Sequence, residues 1–133
     1  MAATSVLVVE DDPTLAHAIA RNLSARGYAT RSAMSVAEAM DAIADDVPEL
    51  VLLDIDLPDG SGWEVLRGLR AAGHADVAAI VMSALRPNPR LCDEMDAVGV
   101  LEKPFPMESL LRLVAESSGR TSAPAVADTG ADG

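Results

Sequence analysis

Five polar residues stand where apolar runs end: Glu10 and Asp11 after residues 6–9, Asp54 after 50–53, Ser83 after 77–82, and Lys103 just past 100–101. If those runs are parallel strands of one sheet, their carboxyl ends meet at one edge, where ligands of open α/β sheets bind. Three carboxylates crowded there would repel, and one would stay protonated unless a cation offset them. The set therefore implies a metal ion. Oxygen donors with room for water suit Mg2+, which takes one or two carboxylates and completes its octahedron with water and phosphate oxygens. Zn2+ would ask for His or Cys, and His17 and His74 read as solvated, on the outer side of a helix and in a loop. Asp54 taken alone could be a turn-opening aspartate bonded to its own backbone. Lys103 is the only lysine beside nine arginines, a compact ammonium that can reach a phosphate or carboxylate as a point charge.

Alternating strand and helix signals supply the scaffold. Residues 6–9 are an apolar run of strand length. Asp12 and Pro13 then read as N-cap and first residue of a helix that runs to about Arg26 and stops at Gly27. A short strand over 28–32 follows. Ser35 and Glu38 have capping-box spacing and open a second helix that Pro48 ends; 50–53 is the third strand. Ser61 and Glu64 repeat the box, opening a helix that stops at Gly73, and 77–82 is the fourth strand. Pro87 and Pro89 forbid a helix through their stretch, leaving a short one from Arg90 to about Val98, with Leu91, Met95 and Val98 on one face. A strand at 100–101 and a helix from Met107 to about Glu116 complete the pattern. Alternation with short connections requires a parallel sheet with helices on both faces, a doubly wound α/β domain over residues 1–117. The polar residues 118–133, without apolar period, read as a disordered tail.

Composition bounds the partners. Half of the chain is apolar but 2% is aromatic, so the core is Val, Leu, Ile, Ala and Met, the filling of a covered parallel sheet. A net charge of -11 opposes direct nucleic-acid binding, which needs clustered Lys and Arg. No apolar run reaches the ~18 residues of a membrane span, and no basic leader opens the chain. The single Cys92 allows no internal disulfide and suits a reducing compartment. A cytoplasmic protein without membrane contact is expected.

Four motifs in order, Val-Val-Glu-Asp-Asp, Leu-Leu-Asp-Ile-Asp-Leu-Pro-Asp-Gly-Ser-Gly, Met-Ser-Ala and Glu-Lys-Pro-Phe, carry a resemblance. From about Ser5 to Glu116 the chain resembles the receiver domain of two-component response regulators. The resemblance implies a flavodoxin-like five-stranded sheet of order 2-1-3-4-5, with Asp54 as the phosphoacceptor. It implies that Glu10 and Asp11 are the acidic pair for Mg2+, with Asp11 and Asp54 as direct ligands and Asp56 contributing its carbonyl. Ser83 and the amide of Ala84 would bond the phosphoryl oxygens, and Lys103 would neutralise one of them; Asp12 is left to cap the helix. The donor would be a phosphohistidine on a histidine kinase or histidine phosphotransfer protein, docking on the first helix near His17 and Arg21 and on the loop at Pro104 and Phe105.

Two departures bear on output. The segment between Ser83 and Lys103 is about two residues shorter than is common in the family, with Pro87 and Pro89 where the fourth helix would begin. Val100 stands where many receivers carry an aromatic that turns inward. The switch positions are then Ser83 and Val100, without the ring, and a monomer or weak dimer is expected. No output domain is expected after residue 117, so the chain acts through protein contacts or is part of a longer one. Two other readings are a haloacid-dehalogenase-type phosphatase, suggested by Leu-Leu-Asp-Ile-Asp but opposed by Pro58 and by the early position of Glu10 and Asp11, and an adaptor that works without phosphorylation.

Overall fold

The structure, a computed structural model, describes residues 3–121. Along the chain run β1 (Ser5–Val9), α1 (Pro13–Ala25), β2 (Ala29–Ala33), α2 (Val36–Asp45), β3 (Leu50–Asp54), the two-residue strands β4 (Asp56–Leu57) and β5 (Gly60–Ser61), α3 (Gly62–Ala71), β6 (Ala78–Ser83), α4 (Pro89–Glu94), β7 (Gly99–Glu102) and α5 (Met107–Thr121). The sheet has the order β2-β1-β3-β6-β7, and every pairing in it is parallel. This is the expected order, with β6 and β7 as its fourth and fifth strands. The chain steps from β1 out to β2 and then returns past β1 to β3, so a crevice opens between the carboxyl ends of β1 and β3.

Side chains of a strand alternate between faces, and here both faces are covered. Val6, Val8, Leu50, Leu52, Ile80 and Met82 pack with Ile19 and Leu23 of α1 and Leu110, Leu111 and Val114 of α5. Leu7, Val9, Val51, Leu53 and Ala79 pack with Ala39 and Ile43 of α2 and Val65, Leu66 and Leu69 of α3. Burial on both sides is why β3 and β6 read as unbroken apolar runs. The same alternation aims the polar residues at the edge. Val9 pairs with Leu53 and Asp54 with Met82, so Glu10 and Asp54 lie side by side and continue the series that faces α1 and α5. Lys103 continues it from Leu101, which belongs to that layer.

Element ends follow local chemistry. Asp12 caps α1 with Pro13 at its first position, and Gly27 at φ 91° follows its end, as expected. Ser35 Oγ accepts the Glu38 N–H at 3.1 Å, but Glu38 reaches Met34 N–H at 3.0 Å and not Ser35. At α3 the reciprocal box forms, with Ser61 N–H donating to Glu64 Oε2 at 3.1 Å and Trp63 N–H to Ser61 Oγ at 3.1 Å.

Three expectations are corrected. α4 begins at Pro89, which serves as its first residue behind the Asn88 cap, and it ends at Glu94 instead of near Val98. Asp96 at φ 57° turns the chain, and Val98 N–H already donates to Ala79 O at 2.8 Å on the sheet. Leu91, Met95 and Val98 therefore share no face: Met95 packs on the α2/α3 side and Val98 on the α1/α5 side. The turn after Asp54 folds into the antiparallel β4-β5 hairpin. α5 continues past Ser117 to Thr121, with the buried Ser117 hydroxyl bonded to Leu113 O at 2.7 Å; an i−4 backbone bond lets a serine stay helical where composition alone reads as tail. Residues 122–133, expected as tail, lie outside the described residues.

The hairpin and α3 meet β3 at Gly62. Its N–H donates to Ile55 O at 2.8 Å, and a Cβ there would fall 2.2 Å from the Asp54 carbonyl oxygen. Gly62→Ala must push the Asp54 backbone away, and we expect it to lower stability by ~2–3 kcal/mol, as overpacking does. Chemical denaturation measures this, and a variant as stable as the parent would contradict the contact.

Candidate functional site

Each site side chain is delivered by a separate local device. Glu10 leaves β1 with its N–H still bonded to Ala33 O at 3.0 Å, and its carboxylate is wholly buried. Glu10 Oε2 accepts the Asp12 N–H at 3.1 Å, while Asp12 Oδ1 accepts the Thr14 N–H at 3.0 Å. Asp12 is thus occupied as a cap, and the exposed Asp11 between the two is free to face the edge. Asp54 ends β3 and is 2% exposed. Its Oδ1 accepts the Asp56 N–H at 3.1 Å, and its Oδ2 accepts from Lys103 Nζ at 3.1 Å. Ile55 N–H, bonded to Met82 O at 3.0 Å, keeps the backbone beyond Asp54 on the sheet. Lys103 is held by its own N–H on Ser83 O at 2.8 Å, before a cis Lys103–Pro104 peptide.

The charges do not balance. Oxygens of Glu10, Asp11 and Asp54 lie within 4.8 Å of one another, and the cation bonded among them is Lys103. Burial pushes the Glu10 carboxyl up to about 7; the Asp54 charge adds to this, and Lys103 and the Asp12 N–H offset only part. For Lys103, burial favours the neutral amine, but its bonds to Glu10 and Asp54 and their charges win and raise its pKa. Glu10 Oε1 lies 2.7 Å from Lys103 Nζ, an ion pair at hydrogen-bonding distance. Three carboxylates facing one ammonium, with oxygen-only donors, fit a hard cation. Among the described residues this is the one group of three or more His, Cys, Asp or Glu side chains placed to hold a metal ion.

The remaining expected residues are distributed around this centre. Ser83 is buried at the end of β6, and its Oγ accepts the Leu85 N–H at 3.3 Å; Ala84 beside it is exposed. Asp56 joins the centre through its amide, and its carboxylate faces solvent. Val100 is 42% exposed on β7, outside the centre. His17 and Arg21 are exposed on α1, Pro104 is exposed, and Phe105 packs partly against the α1/α5 layer. Two residues escape the sequence reading. The Asp59 carboxylate, at the hairpin tip, accepts the Val36 and Ala37 N–H groups at 2.8 and 3.0 Å. Arg70 donates to His74 O and Val77 O at 2.9 Å and to Met95 O and Asp96 O at 3.3 Å, tying the end of α3 to the turn after α4. A cation in the last turn of a helix is a weak hint for Arg70; for Asp59 no local signal exists.

Known proteins resemble this chain in sequence and fold. The chain is 37% identical over 124 residues to the transcriptional regulatory protein KdpE of Mycobacterium tuberculosis, covering 92% of this chain and 54% of KdpE. It is 36% identical over 119 residues to the response regulator MprA of Mycobacterium sp. strain KMS, covering 88% of this chain and 51% of MprA. The chain thus spans about half the length of these relatives. The fold matches that of a CheY-like response regulator receiver domain protein from Methanospirillum hungatei, with a TM-score of 0.80 and 24% identity over 86% of this chain and 93% of that one. These findings do not favour the phosphatase reading. The profile of the response regulator receiver domain matches residues 6–115, nearly the whole described fold and every residue of the acidic centre, and the chain belongs to that family.

Proposed function

We propose that Asp54 is the phosphoacceptor of this receiver domain and takes a phosphoryl group from a phosphohistidine on a partner histidine kinase or histidine phosphotransfer protein. One observation carries the assignment: the Asp54 carboxylate is buried at the sheet edge with one oxygen on Lys103 Nζ and the other on the Asp56 N–H, oriented among Glu10 and Asp11. In the transfer a carboxylate oxygen of Asp54 attacks phosphorus, the P–N bond to the donor imidazole breaks, and its electron pair stays on that nitrogen. The domain itself supplies the positioning and charge, so transfer is self-catalysed, and water later hydrolyses the acyl phosphate. Asp11, Asp54 and the Asp56 carbonyl, with Glu10 behind them, would hold Mg2+, which would supply positive charge to the phosphoryl oxygens when bound. Lys103 neutralises another oxygen. Ser83 turns its hydroxyl from the Leu85 N–H toward the phosphoryl group, joined by the Ala84 N–H.

Output follows from that turn. Once Ser83 leaves the Leu85 amide, the loop through Pro87 and Pro89 is freed to shift, and α4, none of whose residues is buried, moves with it. Val100 has no ring to move between two positions, so the backbone carries the change. The α1 surface at His17 and Arg21 and the loop at Pro104 and Phe105 receive the donor protein. KdpE is by name a transcriptional regulatory protein, and about half of it lies beyond the match. For the residues present here, a charge of -11 supports signalling through protein contacts, as a monomer or weak dimer, without direct nucleic-acid binding. Among the described residues no helix is long and apolar enough to cross a membrane, and a cytoplasmic setting suits a kinase-fed domain.

Three measurements test this reading. With acetyl phosphate and MgCl2, intact mass should gain one phosphoryl group in the parent and none in Asp54→Asn or in EDTA; a group that persists in Asp54→Asn defeats the assignment. Lys103→Arg keeps the charge but not the reach of a compact ammonium, so it should bind Mg2+ and signal poorly, and full signalling would refute that role. The third is pH. Glu10 titrates at about 7 in the fold and 4.5 as a free side chain, and a raised carboxyl stabilises the fold below the lower value and loses that contribution as pH rises through the upper one. Metal-free protein should therefore lose stability between these values, Glu10→Gln should flatten the loss, and a parent whose stability is level across the range would speak against it.

A further inference from the structure

The β4-β5 hairpin is the weakest part of the frame around Asp54. Its strands are two residues each, a pairing too short to be stable alone, and Asp56, Pro58 and Asp59 are exposed. Yet it determines how Asp54 is aimed, because the Asp56 N–H bonds Asp54 Oδ1. What fixes its tip is Asp59, whose two carboxylate oxygens accept the Val36 and Ala37 N–H groups in the first turn of α2. The Asp59 carboxyl sits below its ordinary range because of those two amides. Such bonds are charge-assisted, and the helix N-terminus adds a favourable dipole. Ser35 Oγ accepts only the Glu38 N–H, and Asp59 takes the Val36 and Ala37 N–H groups that this cap leaves open. The same two bonds thus serve both the helix end and the hairpin tip.

We infer that Asp59 is a positioning residue for the phosphoacceptor centre: by clamping the hairpin tip to α2 it holds the Asp56 backbone, and through it the Asp54 carboxylate, in the arrangement that receives the cation and the phosphoryl group. This rests on the reading of Asp54, Asp11 and Asp56 as the metal-holding set. The clamp bridges 23 residues of sequence between Asp59 and Val36, and it places α2 in mechanical contact with the loop that carries the reacting group.

The test is the rise of the thermal-unfolding midpoint with MgCl2, which yields an apparent Kd for the metal against each variant's own metal-free baseline. Asp59→Ala should weaken Mg2+ binding about tenfold, the size seen when a partner behind metal ligands is removed, and should slow phosphorylation by acetyl phosphate. Asp59→Asn, which keeps an acceptor oxygen but not the charge, should recover part of the loss. Ser35→Ala removes a different cap from the same helix end, so it should lower the metal-free midpoint and leave the Mg2+ Kd at the parent value. Equal loss in Asp59→Ala and Asp59→Asn would mean a simple field effect and overturn the clamp. So would a parental Kd in Asp59→Ala, or a Ser35→Ala Kd raised as far. A parent whose midpoint ignores MgCl2 brings down the functional reading and this inference with it, whereas a responsive parent with an unaffected Asp59→Ala brings down this inference alone.

Discussion

The Lys103 ammonium, set between the buried carboxylates of Glu10 and Asp54, is the constraint on which the rest of the carboxyl edge depends. Two buried carboxylates in one crevice oppose each other and oppose folding unless positive charge is brought in. One lysine meets that need in part. It pairs with both Asp54 and Glu10 and leaves the Asp11 carboxylate uncompensated. The edge is stable enough to form and unbalanced enough to favour a second cation. That tension ties the electrostatics of the fold to the chemistry proposed for it, since a site neutral in itself would have little reason to recruit a cation or the anion that accompanies it.

Lys103 can occupy this position because the backbone around it is pinned on both sides. β7 brings it alongside β6, where its amide bonds Ser83 O, and the alternation of Leu101 and Lys103 turns the side chain toward the same layer as Asp54. On the other flank the acids are restrained by amides: Glu10 by Asp12, Asp54 by Asp56, and the hairpin of Asp56 by Asp59 on α2. The order of restraint runs from the core outward. Strands buried on both faces are rigid, and the loops that leave them are held by single bonds to neighbours. Such a gradient suits a site whose loops must respond to a phosphoryl group while the sheet does not.

α4 stands at the least buried end of that gradient. It has six residues, none of them buried, and its far end is held by the Arg70 guanidinium on Met95 O and Asp96 O. Its near end follows Pro87 and the Asn88 cap. It is anchored at one end by hydrogen bonds and at the other by a loop bonded to the Ser83 hydroxyl, and it contributes no buried residue to the core. This accords with a receiver that lacks an aromatic at Val100, because no buried ring has to change place.

Much of this was legible in the sequence, and the reason is period. Strands buried on both faces are unbroken apolar runs, and helices over them show their caps in Asp12, Ser35 and Ser61; the order of elements, the sheet and the residues at its edge follow from one-dimensional pattern. The acids and Lys103 could be named because they stand where those runs stop. What period could not reveal was decided by contacts between residues far apart in the chain. The length of α4 depended on where Val98 meets Ala79 on the sheet, and the end of α5 on a buried Ser117 bonded within its own helix. Asp59 of the hairpin met its partners only where the first turn of α2 came alongside, and Arg70 found its carbonyl partners only once α3, β6 and the turn after α4 were assembled. A carboxylate or guanidinium announces that it needs partners, but which backbone groups it will meet is set by tertiary packing, and no local signal encodes it.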